Sequence, residues 1–490
     1  MTNFVRVPTL KTPADFSAHV RSLGIELPCT ERIVAGPASP LAQPIEHVEI
    51  NGKKIGNRYA IQPMEGWDGT TTGGITVDVL RRWQRFGESG AKLIFGAEAM
   101  AVRPGGRANP NQLIIDEANK GGLVKLRETL VTAHANRFGN TGNLVIGFQL
   151  THSGRFCKPN DKFRMEPRVA YRHPILDGKF NVSRDDQVWS DDEIDRLIKD
   201  YVGAAKVARD AGADFVDIKH CHGYLLHEFL SASTRPGKYG GSFENRTRIL
   251  REIVSGIRAG GNNIDLAVRL SAFDFVPFKP DPALSRPGKL GPGIPEDFSH
   301  CLPYRYAFGV NVNNPVEYDL SEPLKFLELC AQLGVKIVNL SAGSPYYNPH
   351  IQRPAAYPPS DGYQPPEDPL VGVARQINVV RQLKAHAPKS LIVVGTAYSY
   401  LQEYLPHVAQ YVVGHGWTDI IGLGRMVLAY PAILADAIQQ GTLAAKSLCR
   451  TFSDCTTAPR NGLISGCFPL DKYYSTKPES QKLKAIKSRS

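Results

Sequence analysis

The chain has 490 residues, 42% hydrophobic and 21% charged, values of an ordinary soluble globular protein with enough apolar material for a large core. Its formal charge of +11 suits anionic small ligands such as nucleotides, and with no recognition motif beside it argues against a nucleic-acid binder. No apolar run approaches the roughly 20 residues of a membrane helix, the first residues lack the apolar centre of a signal peptide, and eight scattered cysteines fit a reducing, cytoplasmic setting.

Residues 1–50 precede the first strand and read as an N-terminal extension. Short β-branched runs then recur at 58–64, 92–98, 144–150, 214–220, 265–271, 336–341, 391–395 and 419–424, most followed by helix-like segments. The runs are apolar without clean alternation, as strands covered on both faces should be. Strand–helix alternation predicts a parallel sheet, and eight repeats predict closure: an α/β fold, a (β/α)8 TIM barrel over residues 51–445. One helix can be read in detail. Ser190 and Glu193 form a capping box, Ile194, Leu197, Ile198, Tyr201, Val202 and Ala205 recur at helical spacing, and Gly212 ends the segment.

Two insertions, 276–306 and 344–369, are rich in Pro with Gly or Tyr and follow the fifth and sixth strands. Both are placed at the catalytic mouth, as lids or as packing and homo-oligomer contacts. Residues 446–490 form a C-terminal extension. Its last twenty residues carry Lys472, Lys477, Lys482, Lys484, Lys487 and Arg489 against Asp471 and Glu479, which predicts a solvated tail. No Gly-x-Gly-x-x-Gly stands between a strand and a helix, so a Rossmann domain is not supported.

Polar groups cluster where strands end: Gln149 to Arg155, Lys219 to Tyr224, Arg269, Ser341 to Ser344, and Gly422 to Arg425. In a barrel these ends converge on one pocket. Five stretches resemble the old yellow enzyme / NADH:flavin oxidoreductase family: Pro63-Met64; Glu98 to Arg107; Gln149-Leu150-Thr151-His152-Ser153-Gly154-Arg155; His222-Gly223-Tyr224-Leu225 running on to Arg248; and Asp419 to Arg425. The resemblance spans about residues 45–440 in the family's order. The barrel is also similar to those of trimethylamine dehydrogenase and 2,4-dienoyl-CoA reductase.

The resemblance implies FMN as cofactor and NADH or NADPH as reductant. It implies Gly343, Gly395, Gly424 and Arg425 around the cofactor tail and phosphate, where backbone N–H groups and a guanidinium suit an anion. Arg269 is implied at the flavin N1–C2 edge, where a cation favours the reduced anion. Gln149 is implied at the pyrimidine edge, and Pro63, Met64, Glu65 and Ala99 beside the ring. Tyr224 matches the family's proton donor, and His222 a donor to the substrate oxygen.

The sequence departs from the pattern at three places. Lys219 stands where the family usually has a second histidine, which suits an anionic or strongly electron-withdrawing substrate; two cations in one dry pocket imply that one is neutral. Glu65 stands where many relatives have Cys or Thr, so its carboxyl is expected to be protonated or turned to solvent. In the cluster-bearing relatives Cys-x2-Cys-x3-Cys-x11-Cys holds a [4Fe–4S] centre. Here Cys455 and Cys467 keep the last spacing, the earlier positions fall on Leu448 and Thr451, and Cys449 is one residue out of register, so no metal or cluster is expected. The leading reading is an FMN-dependent NAD(P)H ene-reductase acting on a small molecule. The alternatives are an amine dehydrogenase or demethylase and a flavin-binding redox sensor.

Overall fold

The computed structural model describes residues 4–488; Arg489, counted with the basic tail, lies outside them. Eight parallel strands close on themselves: β1 (Tyr59–Ile61), β2 (Leu93–Ile94), β3 (Val145–Thr151), β4 (Phe215–Ile218), β5 (Asp265–Ser271), β6 (Val335–Ser341), β7 (Ile392–Gly395) and β8 (Ile420–Leu423). Each pairs with the next, and β8 pairs back onto β1 through Tyr59–Ile421, Ala60–Gly422 and Ile61–Leu423. Each is followed by a helix: α1 (Val77–Gly87), α2 (Lys120–Phe138), α3 (Asp191–Asp210), α4 (Arg248–Ala259), α5 (Ser321–Gln332), α6 (Pro369–His386), α7 (Leu405–Gly414) and α8 (Ile433–Gln440). This is the (β/α)8 barrel that the recurring runs predict, with every run supplying its strand.

The capping box forms at α3: the Glu193 amide donates to Ser190 Oγ at 3.2 Å and the Ser190 amide to Glu193 Oε2 at 2.9 Å. Gly212 then takes φ +86°, the left-handed turn that lets the chain enter β4.

Inside the barrel, Ala60, Leu93, Phe95, Val145, Phe215, Ala267, Ile337, Ile392, Val394 and Ile420 pack into one apolar column. Gly147 on β3 makes room for it, since a Cβ there would lie 2.2 Å from the Phe215 ring. Ile45, Ile50 and Ile55 of the N-terminal segment seal the column from below. That plug is pinned by Lys53 on Asp214 at 2.8 Å and by the Asn51 amide on Asp265 at 2.6 Å, at the starts of β4 and β5. Further upstream, Phe16 of the helix Pro13–Ser22 stacks on Tyr404 at 4.5 Å. With the bottom closed, strand-end chemistry faces the opposite mouth.

The two insertions build on that mouth. The first carries an antiparallel ribbon, Phe278–Pro280 with Gly293–Pro295. The second carries the short helix Pro349–Gln352 and leans on the C-terminal extension: Arg460 donates to the Pro345 carbonyl at 2.7 Å and Arg353 to Ser453 Oγ at 3.1 Å. The expectation of a solvated tail is corrected here. The helix Pro478–Lys487 buries Leu483 in a cluster with Ala458, Phe468 and Tyr474. Arg81 grips Asp471 with two bonds, Lys477 meets Asp78 at 2.8 Å, and Lys487 meets Asp454 at 2.7 Å. Local charge counting overstated the tail's excess because Asp78 lies some 400 residues earlier in the chain. Among the described residues no helix is long and apolar enough to cross a membrane.

Candidate active site

At the C-terminal mouth lies a cavity of about 250 Å³. Pro63, Met64 and Glu65 line it from the end of β1, Ala99 from the strand Ala99–Ala101, and Gln149 from β3. Lys219, His222 and Tyr224 enter after β4, Arg269 on β5, and Gly424 and Arg425 after β8. These are the sequence-predicted residues, drawn together from segments up to 360 positions apart. Gly343 and Gly395 stand outside the lining. Gly343 takes φ +55° and accepts Ser271 Oγ on its carbonyl at 3.1 Å, a support behind the wall. Gly395 lies against Tyr398 and Thr418, which a Cβ would meet at 2.7 and 3.2 Å; its neighbours Thr396 and Ala397 face the cavity instead.

One end of the cavity is a buried polar network. Arg269 donates to Gln62 Oε1 at 2.9 Å and to the Pro63 carbonyl at 3.2 Å, while its Nε is buried without a partner. Gln149 Nε2 donates to Asp217 at 2.5 Å, and the other Asp217 oxygen accepts the Arg269 amide at 2.7 Å. Burial pushes the Asp217 carboxyl up to about 7, against the pull of these donors. The amide of Gln149 is thereby held by one edge, with the rest of the side chain on the cavity wall.

The middle of the cavity carries the candidate acid. Tyr224 is 3% exposed, and its hydroxyl donates to Glu65 Oε2 and lies 2.9 Å from the hydroxyl of Tyr346. Burial first, then the Glu65 charge, holds the phenol well above its ordinary range, so Tyr224 keeps its proton. The Lys219 ammonium sits over the Tyr224 ring, 3.4 Å from its centroid, with no carboxylate in ion-pair reach among the described residues. Burial lowers Lys219 to about 8. His222 is held well below its usual range, by burial first and then by Arg269 and Lys219, so the imidazole is neutral. Of the two basic groups, the histidine is the one that gives up its charge at neutral pH. His222 adopts φ +66°, an uncommon backbone conformation for a non-glycine residue. It is fixed by its amide on Ser271 Oγ at 2.9 Å and by Nε2 on Ser341 Oγ at 3.0 Å.

Of the two alternatives expected for Glu65, the structure corrects the one that turned it to solvent. It is half-buried and turned inward, with Oε2 on Tyr224 and Oε1 accepting Trp67 Nε1 at 3.0 Å. The reason is local: Gly66 lets the chain fold tightly past Glu98, whose Oε1 would lie 2.0 Å from a Cβ there, and so brings Trp67 back over the residue it hydrogen-bonds.

Arg425 occupies the far end. Its guanidinium donates to the Thr456 hydroxyl. Burial, with Arg353 and Arg460 nearby, depresses Arg425 to about 9, and among the described residues no carboxylate pairs with it. A guanidinium does not deprotonate in a protein, so the shift marks a charge in want of an anion. Sequence reasoning missed Tyr346, Gln352 and Arg353 of the second insertion and Thr456, Arg460 and Ser465 of the extension, all in the lining. The position of the insertion after β6 was the available signal; nothing local marked the extension. Cys455 also lines the cavity; Cys449, Cys455 and Cys467 are free thiols, and no set of three or more His, Cys, Asp or Glu converges as metal ligands among the described residues.

A closed parallel barrel with a ring of polar side chains at its C-terminal mouth is the arrangement of a barrel enzyme's active site. Residues 40–281 match the NADH:flavin oxidoreductase / NADH oxidase family. An NADH:flavin oxidoreductase of Gibberella zeae is 25% identical over 351 residues, 69% of this chain and 71% of the relative. An NADPH dehydrogenase of Geobacillus is 30% identical over 238 residues, 46% of this chain and 63% of the relative, just under two thirds of its length. The old yellow enzyme homologue of Zymomonas mobilis shares the fold at a TM-score of 0.55 and 20% identity, covering 82% of this chain and 94% of that one.

The residues present fit FMN. The uncompensated Arg425 suits a phosphate, and the unpartnered Arg269 Nε and the Gln149 amide suit the polar edge of an isoalloxazine.

Proposed function

We propose that the protein reduces an electron-poor carbon–carbon double bond, using NADH or NADPH as the source of reducing equivalents and FMN as the resident cofactor. Bound FMN would supply the hydride. Arg269 and Gln149 would hold its pyrimidine edge, Pro63, Met64 and Ala99 its ring, and Arg425 its phosphate. His222, a neutral N–H donor beside Ser341, binds and polarises the substrate's activating oxygen. Lys219 adds a fixed positive charge to the same wall, which favours a substrate with a carboxylate or another anionic group. Tyr224 gives its proton to the carbon next to the activating group.

The observation that carries this reading is the grouping of Tyr224, His222 and Lys219 on one buried wall of the cavity that Gln149, Arg269 and Arg425 share. A pocket that only bound flavin would not need a buried phenol held protonated. A cationic amine would meet Lys219 and Arg269 at close quarters, which argues against amine oxidation. The test is anaerobic. The yellow holoenzyme should bleach with NADH or NADPH and recover its colour with enones, enoates or nitroalkenes. Bleaching without recovery by any of these alkenes would remove the proposal.

A further inference from the structure

Tyr224 can act repeatedly only if a proton is returned to it, and we infer that Glu65 is the group that returns it. The inference rests on the alkene-reductase reading above. Tyr224 is almost fully buried, its ring covered by Lys219 and flanked by Phe156, and its hydroxyl has two protein partners, Glu65 and Tyr346. Tyr346 is half-buried and stacked on Phe156 at 3.9 Å, and burial holds its phenol above the ordinary range. Glu65, half-buried like Tyr346, is the partner that carries a carboxyl, a far stronger acid than a phenol and so the group able to hand a proton on.

The geometry of the carboxyl group decides where its proton sits. Oε1 accepts Trp67 Nε1 at 3.0 Å, and Asn109 Nδ2 approaches it at 3.5 Å. Both groups are donors, so Oε1 is held as an acceptor. A proton on Glu65 therefore resides on Oε2, the oxygen bonded to Tyr224. In the ionised form Oε2 accepts the phenol proton; in the acid form it donates to the phenol oxygen.

The transfer balances as two coupled proton shifts. The Tyr224 O–H bond breaks as a C–H bond forms on the substrate, and the Glu65 O–H bond breaks as the Tyr224 O–H is restored. No electrons are exchanged in this half; the electron pair reaches the substrate as the hydride that the reduced cofactor supplies. Glu65 is left as a carboxylate and regains a proton from water at the mouth. An ionised Glu65 opposes ionisation of Tyr224, so the phenol is a competent acid when Glu65 carries its proton. Around the pair stand Lys219 over the phenol, Lys158 over Trp67 at 5.9 Å and within the field of Glu65, and Arg269 and Asp217 behind Lys219. Both lysines stabilise the carboxylate that Glu65 becomes and so favour the shift of its proton to Tyr224.

The test uses the FMN holoenzyme, reduced anaerobically and then mixed with 2-cyclohexenone or 1-nitrocyclohexene while flavin reoxidation is followed. Hydride addition to the enone leaves an enolate that needs a proton in the same site; addition to the nitroalkene leaves a stable nitronate that does not. Glu65→Gln should slow the enone reaction by about 100-fold, the lower range for a positioned proton donor, and leave the nitroalkene reaction within about twofold. In a Tyr224→Phe background it should have no further effect on the enone, and Glu65→Asp should recover part of the rate. Equal slowing of both acceptors, or an additive loss in the Tyr224→Phe background, overturns the inference while the alkene-reductase reading stands. If Glu65→Gln fails to retain FMN, the same comparisons are made on Glu65→Asp, with partial slowing of the enone alone expected. A wild type that NAD(P)H bleaches but neither alkene reoxidises removes the functional reading, and the inference with it.

Discussion

The ammonium of Lys219 lies 3.4 Å from the centroid of the Tyr224 ring. A cation over a phenol ring is attracted by its electron density, and more strongly once the oxygen carries negative charge. Lys219 therefore serves two ends, easing loss of the Tyr224 proton and attracting an anionic substrate. Lys219→Met should lower kcat/KM for α,β-unsaturated carboxylates by about tenfold or more, the scale of one charge-assisted hydrogen bond. Neutral enones should lose less. Steady-state kinetics on matched acid and amide substrates would check this; equal losses on both would assign Lys219 to the proton step alone.

The same lysine sets a pH limb. Burial lowers Lys219 to about 8, so it is charged below that pH and neutral above it. For an anionic alkene, kcat/KM should fall as pH rises through about 8, mainly through a rising KM. Lys219→Arg should keep the charge and flatten the limb, because a guanidinium does not titrate in this range. A pH profile of kcat/KM for both enzymes is the measurement.

Arg425 should distinguish FMN from riboflavin. Among the described residues its charge has no carboxylate partner, and removing one charge-assisted contact costs about 1.5–3 kcal/mol. Arg425→Gln should weaken FMN binding by about 10- to 100-fold and leave riboflavin binding nearly unchanged, as read by quenching of flavin fluorescence. Parallel loss for both flavins would place the phosphate elsewhere.

Arg82 should matter to stability. It is 4% exposed and bonds Asp68 at 2.6 and 2.9 Å and both Glu98 oxygens at 2.9 Å. Its loss strands two buried carboxylates, a change that typically costs about 3–5 kcal/mol. Arg82→Met should lower the denaturation midpoint strongly, and adding Glu98→Gln and Asp68→Asn should restore part of it. Urea unfolding followed by circular dichroism would show the order; no recovery in the triple variant would mean that packing, not charge, dominates.

The barrel was legible because its signal is local. Each strand announces itself as a short run buried on both faces, and each helix by its period and caps, as Ser190 and Glu193 show. The strand-end residues were legible for the same reason: parallel strands put their C-terminal ends on one rim whatever lies between them, so Gln149, Tyr224, Arg269 and Arg425 had to meet once the barrel closed.

What the chain alone determined, then, was a (β/α)8 barrel and the strand ends that line its mouth. The tertiary structure decided which group touches which. It turned Glu65 onto Tyr224, laid Lys219 across the phenol, and docked the basic C-terminal helix through Asp78 and Asp454. It also brought Arg460 and Thr456 to the cavity of a barrel that ends before them. Periodicity and spacing report contacts a few residues apart. A hydrogen bond between side chains 159 positions apart depends on loop paths and rotamers that no local pattern encodes.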